Sequence, residues 1–394
     1  MQRPVTGDNV DCKDIQSEFH ECNRLEIARK KWGRGFCYLD ASNNPIRSKM
    51  FKRRIKQLVI PPMWDQVQIS ACAFDKVQAV GFDGKGKKQY IYHPSYQLTQ
   101  QQAKFTRMRQ FAKQLPQARA RCIEQLENDD WNQEKVAALA IMVLDSTGIR
   151  IGNQHYYQHN DTCGLTTLRR KHLKYNEAGI AFEFQGKHGK QRKVNVFDEQ
   201  LCQFISESAV QTGYGLFRYH YHGRWLDLTS DDVNTFIHRL HGPEFTSKDY
   251  RTWVASRLAV RFAFDVAAEI TTNNRKRFDT SLIKQVAKAL GNTPKVCRDY
   301  YIHPTLLSHL CELSQTQTLP DFSRDFWQLD GSLSDCEAFI VKVLTEEKGE
   351  EGTPPLWALS GVSVMTTKLN GLRRLHASNH MGTVIPISLN TCSI

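Results

Sequence analysis

Residues 291–304 read Gly291-Asn-Thr-Pro-Lys-Val-Cys-Arg-Asp-Tyr-Tyr-Ile-His-Pro304. Gly291 stops the helical run Ser281–Leu290, because glycine reaches the left-handed conformation that closes a helix without a Cβ penalty. Thr293 offers a hydroxyl as N-cap, and Pro294 suits a first helical position, where no N–H is required. A short helix is expected to follow and to end near Tyr301, before Pro304. Two tyrosines and a nearby Asn, Arg and His are thereby confined to one bounded unit. Local chemistry alone fits either a capped helix pair with buried aromatics or a reactive phenol, and it does not separate Tyr300 from Tyr301.

Working outward, the chain of 394 residues is long enough for two or three domains. It is 40% hydrophobic and 24% charged, as ordinary globular proteins are. The longest apolar run, Val136–Leu144, is too short to span a bilayer. The N-terminus lacks the apolar stretch of a signal peptide. The 11 cysteines are scattered and include no Cys-x-x-Cys pair. A disulfide framework or zinc ribbon is therefore not expected, and a reducing cytoplasm fits. The net charge of +12 is uneven: +7 in residues 1–98, +8 in 99–315 and −3 in 316–394. Such a distribution suits a polyanionic partner, though a merely basic protein would share it.

The pattern along the chain predicts an α+β protein. A small antiparallel β-sheet N-terminal domain (1–98) precedes a larger, mainly α-helical catalytic domain with a β-hairpin (99–315). A tail of unassigned role (316–394) contains an acidic linker at 345–355. Residues 1–33 read as a polar extension with a charged helical piece near Glu18–Lys31. Ser48–Leu58 reads as a basic amphipathic helix with Phe51, Ile55 and Leu58 on one face. Strand-like runs follow at Val67–Ala73, Lys76–Phe82 and Lys88–Tyr92. The last two flank a basic loop, so that Lys85, Lys87 and Lys88 lie beside Gln89, Tyr90 and Tyr92. Lysines meeting phosphates and an amide meeting a base edge suit a nucleic-acid groove, and two tyrosines packed on the sheet fit equally.

Ser95–Gln102 reads as a connector and the chain beyond Lys104 as helical. Asp130 is placed to cap a core helix over Val136–Leu144, with Gln133 completing the box. Arg150 follows directly after that helix stops at Gly148. A hairpin between Ile180 and Phe197 carries Lys187 on its glycine-flanked tip. His220 and His222 alternate on Arg218–Trp225, but no third ligand stands at usable spacing and no metal site is expected. Thr246 caps the next long helix, on which Lys248 and Arg251 share a face.

Together, Arg150, Lys187, Arg251, Asn292 and Tyr301 resemble the site of the type IB DNA topoisomerases of the bacterial and poxvirus kind. The resemblance runs from Gly35 to about Ser308. It is carried by Gly35–Asp40, Ile60–Trp64, Gly84–Pro94, Ile149–Asn153, Gly164–Leu168, Gly186-Lys187, Phe245–Trp253 and Gly291–Pro304. It implies relaxation of supercoiled DNA through a 3′-phosphotyrosyl intermediate, strand rotation and religation, without ATP, metal or cofactor. Tyr301, in the Tyr-Ile-His-Pro motif, is the implied nucleophile and Tyr300 a packing neighbour. Arg150 and Arg251 are the implied phosphate ligands, Lys187 the general acid, and Lys248 a second participant in proton transfer. Asn292 stands where poxvirus members carry histidine, and is implied to donate a hydrogen bond to the phosphate. Tyr156 is an implied DNA contact. The family further implies a monomer on duplex DNA, in the cytoplasm and associated with a bacterial nucleoid. A tyrosine recombinase shares the Arg/Lys/Arg/Tyr chemistry, but usually carries histidine at the place of Lys248. A non-catalytic DNA-binding relative is the other alternative, and here every catalytic position holds a competent residue.

Overall fold

Five short antiparallel strands form the first sheet: β1 (Ile27–Trp32), β2 (Gly35–Leu39), β3 (Asp65–Ile69), β4 (Val77–Phe82) and β5 (Lys88–Tyr92). Their order is β2-β1-β3-β4-β5. The computed structural model describes residues 25–154, 157, 162–177, 179–272, 275–322 and 327–346. Ile27, Val67, Ile69 and Ala79 bury against Ile55 of helix α1 (Lys49–Gln57), with Phe51 and Leu58 packed alongside. The Ser48 hydroxyl accepts from the Phe51 N–H and caps α1.

Two expectations about this region are corrected. The charged piece expected as helical near Glu18–Lys31 is a strand from Ile27, because Ile27 pairs with Ile69 and fills the sheet core; residues 1–24 lie outside the described ones. The run expected to continue as strand to Ala73 stops at Ile69. Beyond it, the Arg54 guanidinium takes the carbonyls of Ser70, Ala71 and Cys72 at 2.8–3.1 Å. Arg29 similarly donates to the carbonyls of Pro61 and Trp64, fixing the Ile60-Pro61-Pro62 bend.

The expected connector Ser95–Gln102 is instead the opening of helix α2 (Pro94–Leu126). The His93 ring accepts from the Ser95 N–H, and Pro94 occupies the first turn, so a helix begins at once where strand β5 ends. Helix α3 (Gln133–Thr147) is buried continuously from Lys135 to Asp145. Its cap is Asn132 rather than Asp130: the Asn132 Oδ1 accepts from the Lys135 N–H at 2.9 Å. Around α3 pack α4 (Glu199–Ala209), α5 (Ser230–His241) and α6 (Ser247–Thr271). A three-stranded sheet of β6 (Leu173–Asn176), β7 (Gly179–Gln185) and β8 (Gln191–Val196) carries the Lys187 turn. The separate hairpin of β9 (Arg218–Tyr221) and β10 (Arg224–Asp227) places His222 in its turn at φ 46°, not on the strand as alternation suggested. Helices α7 (Phe278–Leu290), α8 (Pro294–Tyr300) and α9 (Pro304–Thr316) follow.

No role was legible for residues 316–394. Of these, Trp327, Leu329, Cys336, Ile340, Val343 and Leu344 enter the main core, the last four from helix α10 (Asp335–Glu346). Its Glu337 accepts from Arg119 of α2 at 2.7 and 2.9 Å, from Arg257 at 2.7 Å and from the Trp253 indole at 2.8 Å. Asp145 of α3 accepts from Arg119 at 2.7 Å and from the Trp327 indole at 2.9 Å. All four charged side chains are at most 2% exposed. Burial alone would raise the Glu337 carboxyl, and Arg119 and Arg257 overcome it to hold the group well below its usual range. The expected linker beyond Glu346 lies outside the described residues.

Removing one member of a fully desolvated network leaves opposite charges uncompensated. Glu337→Ala should therefore lower unfolding free energy by about 3–5 kcal/mol. Glu183→Gln, which breaks the exposed pair with Lys193, should change it by less than about 1 kcal/mol. Urea titration of the two variants beside the parent checks this contrast.

Candidate active site

Helix α7 ends as the local sequence requires. Gly291 is left-handed at φ 66°, its N–H meets the Lys288 carbonyl at 3.2 Å, and the Asn292 N–H meets the Ala287 carbonyl at 2.8 Å. That paired closure turns the chain sharply. The Thr293 hydroxyl accepts from the Val296 N–H, Pro294 opens α8, and Cys297 buries its inner face. The Tyr301 N–H donates to the Cys297 carbonyl at 3.1 Å and ends the helix. Asn292 and Tyr301 are thus held at opposite ends of a helix of seven residues, about two turns.

Arg150 arrives from the end of α3. Gly148, at φ 63°, approaches α6 and α7 so closely that a Cβ there would lie 2.8 Å from Leu290 and 2.9 Å from Val254. The Arg150 and Ile151 carbonyls accept from the N–H groups of Leu165 and Thr166 at 2.7 and 2.8 Å. A Cβ on Gly164 would meet the Gly152 backbone at 2.5 Å. These two glycine-bearing segments therefore lock together and fix the backbone under Arg150.

The side chains then converge. Arg150 Nη2 donates to the Gly291 carbonyl at 2.9 Å and to Asn292 Oδ1. Arg251, 4% exposed on α6, donates to the Gly148 carbonyl and reaches Asn292 Oδ1 at 3.5 Å. Its guanidinium carbon lies 5.4 Å from the centre of the Tyr301 ring. Asn292 Nδ2 is buried and has no hydrogen-bond partner among the described residues. A buried donor left open in this way calls for an acceptor from outside the chain. Burial first, then Arg251 and Arg192, pull the Arg150 guanidinium down to about 10, against the opposing pull of Tyr301. Among the described residues no carboxylate pairs with Arg150 or Arg251. A concentration of positive charge without an internal anion is an anion site.

Lys187 stands exposed on the turn between β7 and β8, at the rim of a small cleft lined by Arg150, Cys163, Phe184, Arg192 and Leu290. Lys248 is exposed in the first turn of α6, where Thr246 and Asp249 form a capping box. The structure therefore brings Arg150, Arg251, Asn292 and Tyr301 into contact, sets Lys187 on the adjoining cleft, and leaves Lys248 on the surface nearby. Lys85, in the turn between β4 and β5, and Lys88, on β5, are exposed. Tyr90 and Tyr92 stack at 5.9 Å with Lys88 5.6 Å from the Tyr90 ring centre. The Gln89 amide donates to Asp83 at 2.8 Å, which orients it, and Lys87 is half-buried in the same loop. Tyr156 lies outside the described residues.

Sequence reading missed two further cations. Lys104 of α2 donates to the Tyr300 carbonyl, and its ammonium sits 4.9 Å from the centre of the Tyr301 ring, opposite in sequence by almost two hundred residues. Arg192 of β8 donates to the Lys288 and Ala289 carbonyls at 2.9 and 2.6 Å. Neither falls in a motif.

Two family models match the chain. Residues 85–317 match the family described as "Eukaryotic DNA topoisomerase I, catalytic core", and residues 35–83 match "Bacterial DNA topoisomerase IB, N-terminal domain". The chain belongs to the type IB DNA topoisomerase family. It is 27% identical over 304 residues to the DNA topoisomerase 1B of Acanthamoeba polyphaga mimivirus, covering 75% of this chain and 89% of that one. It is also 25% identical over 246 residues to the DNA topoisomerase 1B of Vaccinia virus (strain Copenhagen) and to the DNA topoisomerase I of Monkeypox virus, covering 60% of this chain and 73% of each relative.

Burial, above all, and the cations Lys248, Arg107 and Arg251 pull the Lys104 ammonium down to about 8, against Asp249. The folded protein releases that proton near pH 8, whereas the unfolded chain keeps it to the ordinary lysine range of about 10.4. The unfolded state then binds more protons, so stability rises with pH across that interval. Unfolding free energy measured from pH 8 to 10 should climb more steeply for the parent than for Lys104→Met.

Proposed function

We propose that this enzyme relaxes supercoiled duplex DNA by cutting and resealing one strand, with Tyr301 as nucleophile. The observation that carries the assignment is the meeting of two carboxylate-free guanidiniums, an open Asn292 amide donor and the Tyr301 ring. A phosphodiester needs that set: bidentate cations for its non-bridging oxygens and a nucleophile beside them.

Tyr301 Oη forms a bond to phosphorus and the bond from phosphorus to the DNA 5′-oxygen breaks, leaving a 3′-phosphotyrosyl link. A free phenol ionises near pH 10, so deprotonation at pH 7 costs about 4 kcal/mol. Arg251 and Lys104 lie beside the ring, 5.4 and 4.9 Å from its centre, with their positive charge towards the reacting group. Arg150, Arg251 and Asn292 Nδ2 stabilise the pentacoordinate transition state, whose charge exceeds that of the ground state. Lys187 supplies the proton that the departing 5′-alkoxide takes up, a contribution of about 10²–10⁴-fold. Lys248 assists that transfer from the start of α6. The phosphotyrosyl ester conserves the energy of the original bond, so the 5′-hydroxyl reseals the strand after rotation without ATP.

Lys85, Lys87, Lys88, Gln89, Tyr90, Tyr92 and Tyr156 are assigned to the duplex, through phosphates and base edges. In this reading the N-terminal sheet domain (1–98) and the helical domain (99–315) grip the DNA as one monomer, and residues beyond 315 take no direct part in the chemistry. A cytoplasmic, nucleoid-associated location belongs to the same proposal and is supported by the DNA substrate and the scattered cysteines. No helix among the described residues is long and apolar enough to cross a membrane.

Tyr301→Phe should abolish both plasmid relaxation and the covalent DNA adduct, while Tyr300→Phe retains both; a surviving adduct in the first variant would refute the assignment. Asn292→Ala should slow single-turnover cleavage by about 10²-fold, the usual cost of one transition-state donor. The parent enzyme should relax plasmids of either supercoil sign in chelator and without ATP, and relaxation of one sign only would exclude this class.

A further inference from the structure

We infer that Arg192 is a positioning residue that sets the Lys187 turn against the Asn292–Tyr301 unit; the inference rests on the reading of Lys187 as general acid. Arg192 lies on β8, directly opposite Phe184 of β7, five residues past Lys187. The turn between them is closed by the Gly186 N–H on the Lys190 carbonyl at 2.8 Å. The Arg192 stem crosses back over that turn, and a Cβ on Gly186 would fall 2.9 Å from its Cγ. At the other end, the guanidinium lies against the close of α7, where a Cβ on Gly291 would fall 2.7 Å from its Cζ.

Gly186 immediately precedes Lys187, and Gly291 immediately precedes Asn292. One side chain therefore occupies the space beside both glycines and joins the two segments that carry the acid and the phosphate ligand. Both Nη atoms are committed to carbonyls of the last turn of α7, those of Lys288 and Ala289. The cation also complements the negative end of the α7 dipole. Arg192 is thus engaged with backbone rather than directed at a substrate phosphate, so its effect on the reaction passes through Lys187. The lysine itself is exposed on a short glycine-flanked turn, whose backbone hydrogen bonds hold the turn but leave the Lys187 side chain to be aimed by what packs beneath it.

The test uses single-turnover cleavage of two duplexes, one with the ordinary 5′-bridging oxygen and one with sulfur in its place. A thiolate leaves without a proton because its conjugate acid ionises near pH 8.5, far below an alcohol. A misplaced general acid therefore slows the oxygen duplex and spares the sulfur one. Arg192→Ala should lose about 10²-fold on the oxygen duplex, the scale expected for a displacement of about 1 Å. On the sulfur duplex it should return to about the parent rate, with DNA affinity unchanged. Lys187→Ala is the control and should also recover on sulfur. An Arg192→Ala defect of equal size on both duplexes, beside a recovering Lys187→Ala, would overturn the inference and place Arg192 on the nucleophile side. A full rate on oxygen would overturn it as well. Failure of Lys187→Ala itself to recover would instead reject the general-acid reading. If Arg192→Ala does not fold, Arg192→Lys, which keeps the charge but cannot span two carbonyls, is run on the same pair of duplexes, with the same outcomes deciding.

Discussion

The buried network of Arg119, Asp145, Arg257 and Glu337 is the constraint on which the catalytic half depends. It ties α2, α3, α6 and α10 together where no water can substitute for a missing partner. Desolvating four charges is costly, and the charges stay paired only while the helices keep this arrangement. That arrangement delivers the end of α3, and so Arg150, to the same place as Arg251 near the start of α6. Each arginine then spends part of its hydrogen-bonding capacity on nearby carbonyls. The guanidiniums are stiffened without being neutralised, which leaves their charge available to a phosphate.

The site itself is made from chain ends and turns rather than from the faces of elements. Gly148 and Gly291 stop two helices within contact of each other, and the residues just beyond them belong to the proposed site. Tyr301 ends α8 between a buried arginine and the Lys104 ammonium. Lys104 belongs to α2, which starts directly after the β5 strand bearing Gln89, Tyr90 and Tyr92. A rigid helix thus joins the proposed DNA-reading strand to the backbone of the proposed nucleophile.

How much of this was legible varies with the range of the physics. The caps of α7 and α8 were readable because Gly291, Thr293 and Pro294 act within four residues. The cap of α3 slipped from Asp130 to Asn132 because both residue types cap equally well and only packing chooses between them. Residues 27–31 read as charged helix, since their strand character comes from pairing with β2 and β3. Arg54 ended β3 from sixteen residues away, a hydrogen bond no local pattern encodes. Glu337 sat in a stretch that composition made look like a tail.

The sequence by itself determined the class of chemistry: which residue types stand in order, how the short unit 291–304 caps itself, and that Tyr301 lies in the motif while Tyr300 does not. These are properties of neighbours, or of ordered motifs that need no coordinates. Only the tertiary structure decided that Asn292 presents its oxygen to two arginines and leaves its nitrogen open. It alone placed Lys104 over the tyrosine ring and ran Arg192 between two glycines. Those contacts join residues some 40 to 200 positions apart, and burial and charge at that range exist only once the chain has closed on itself.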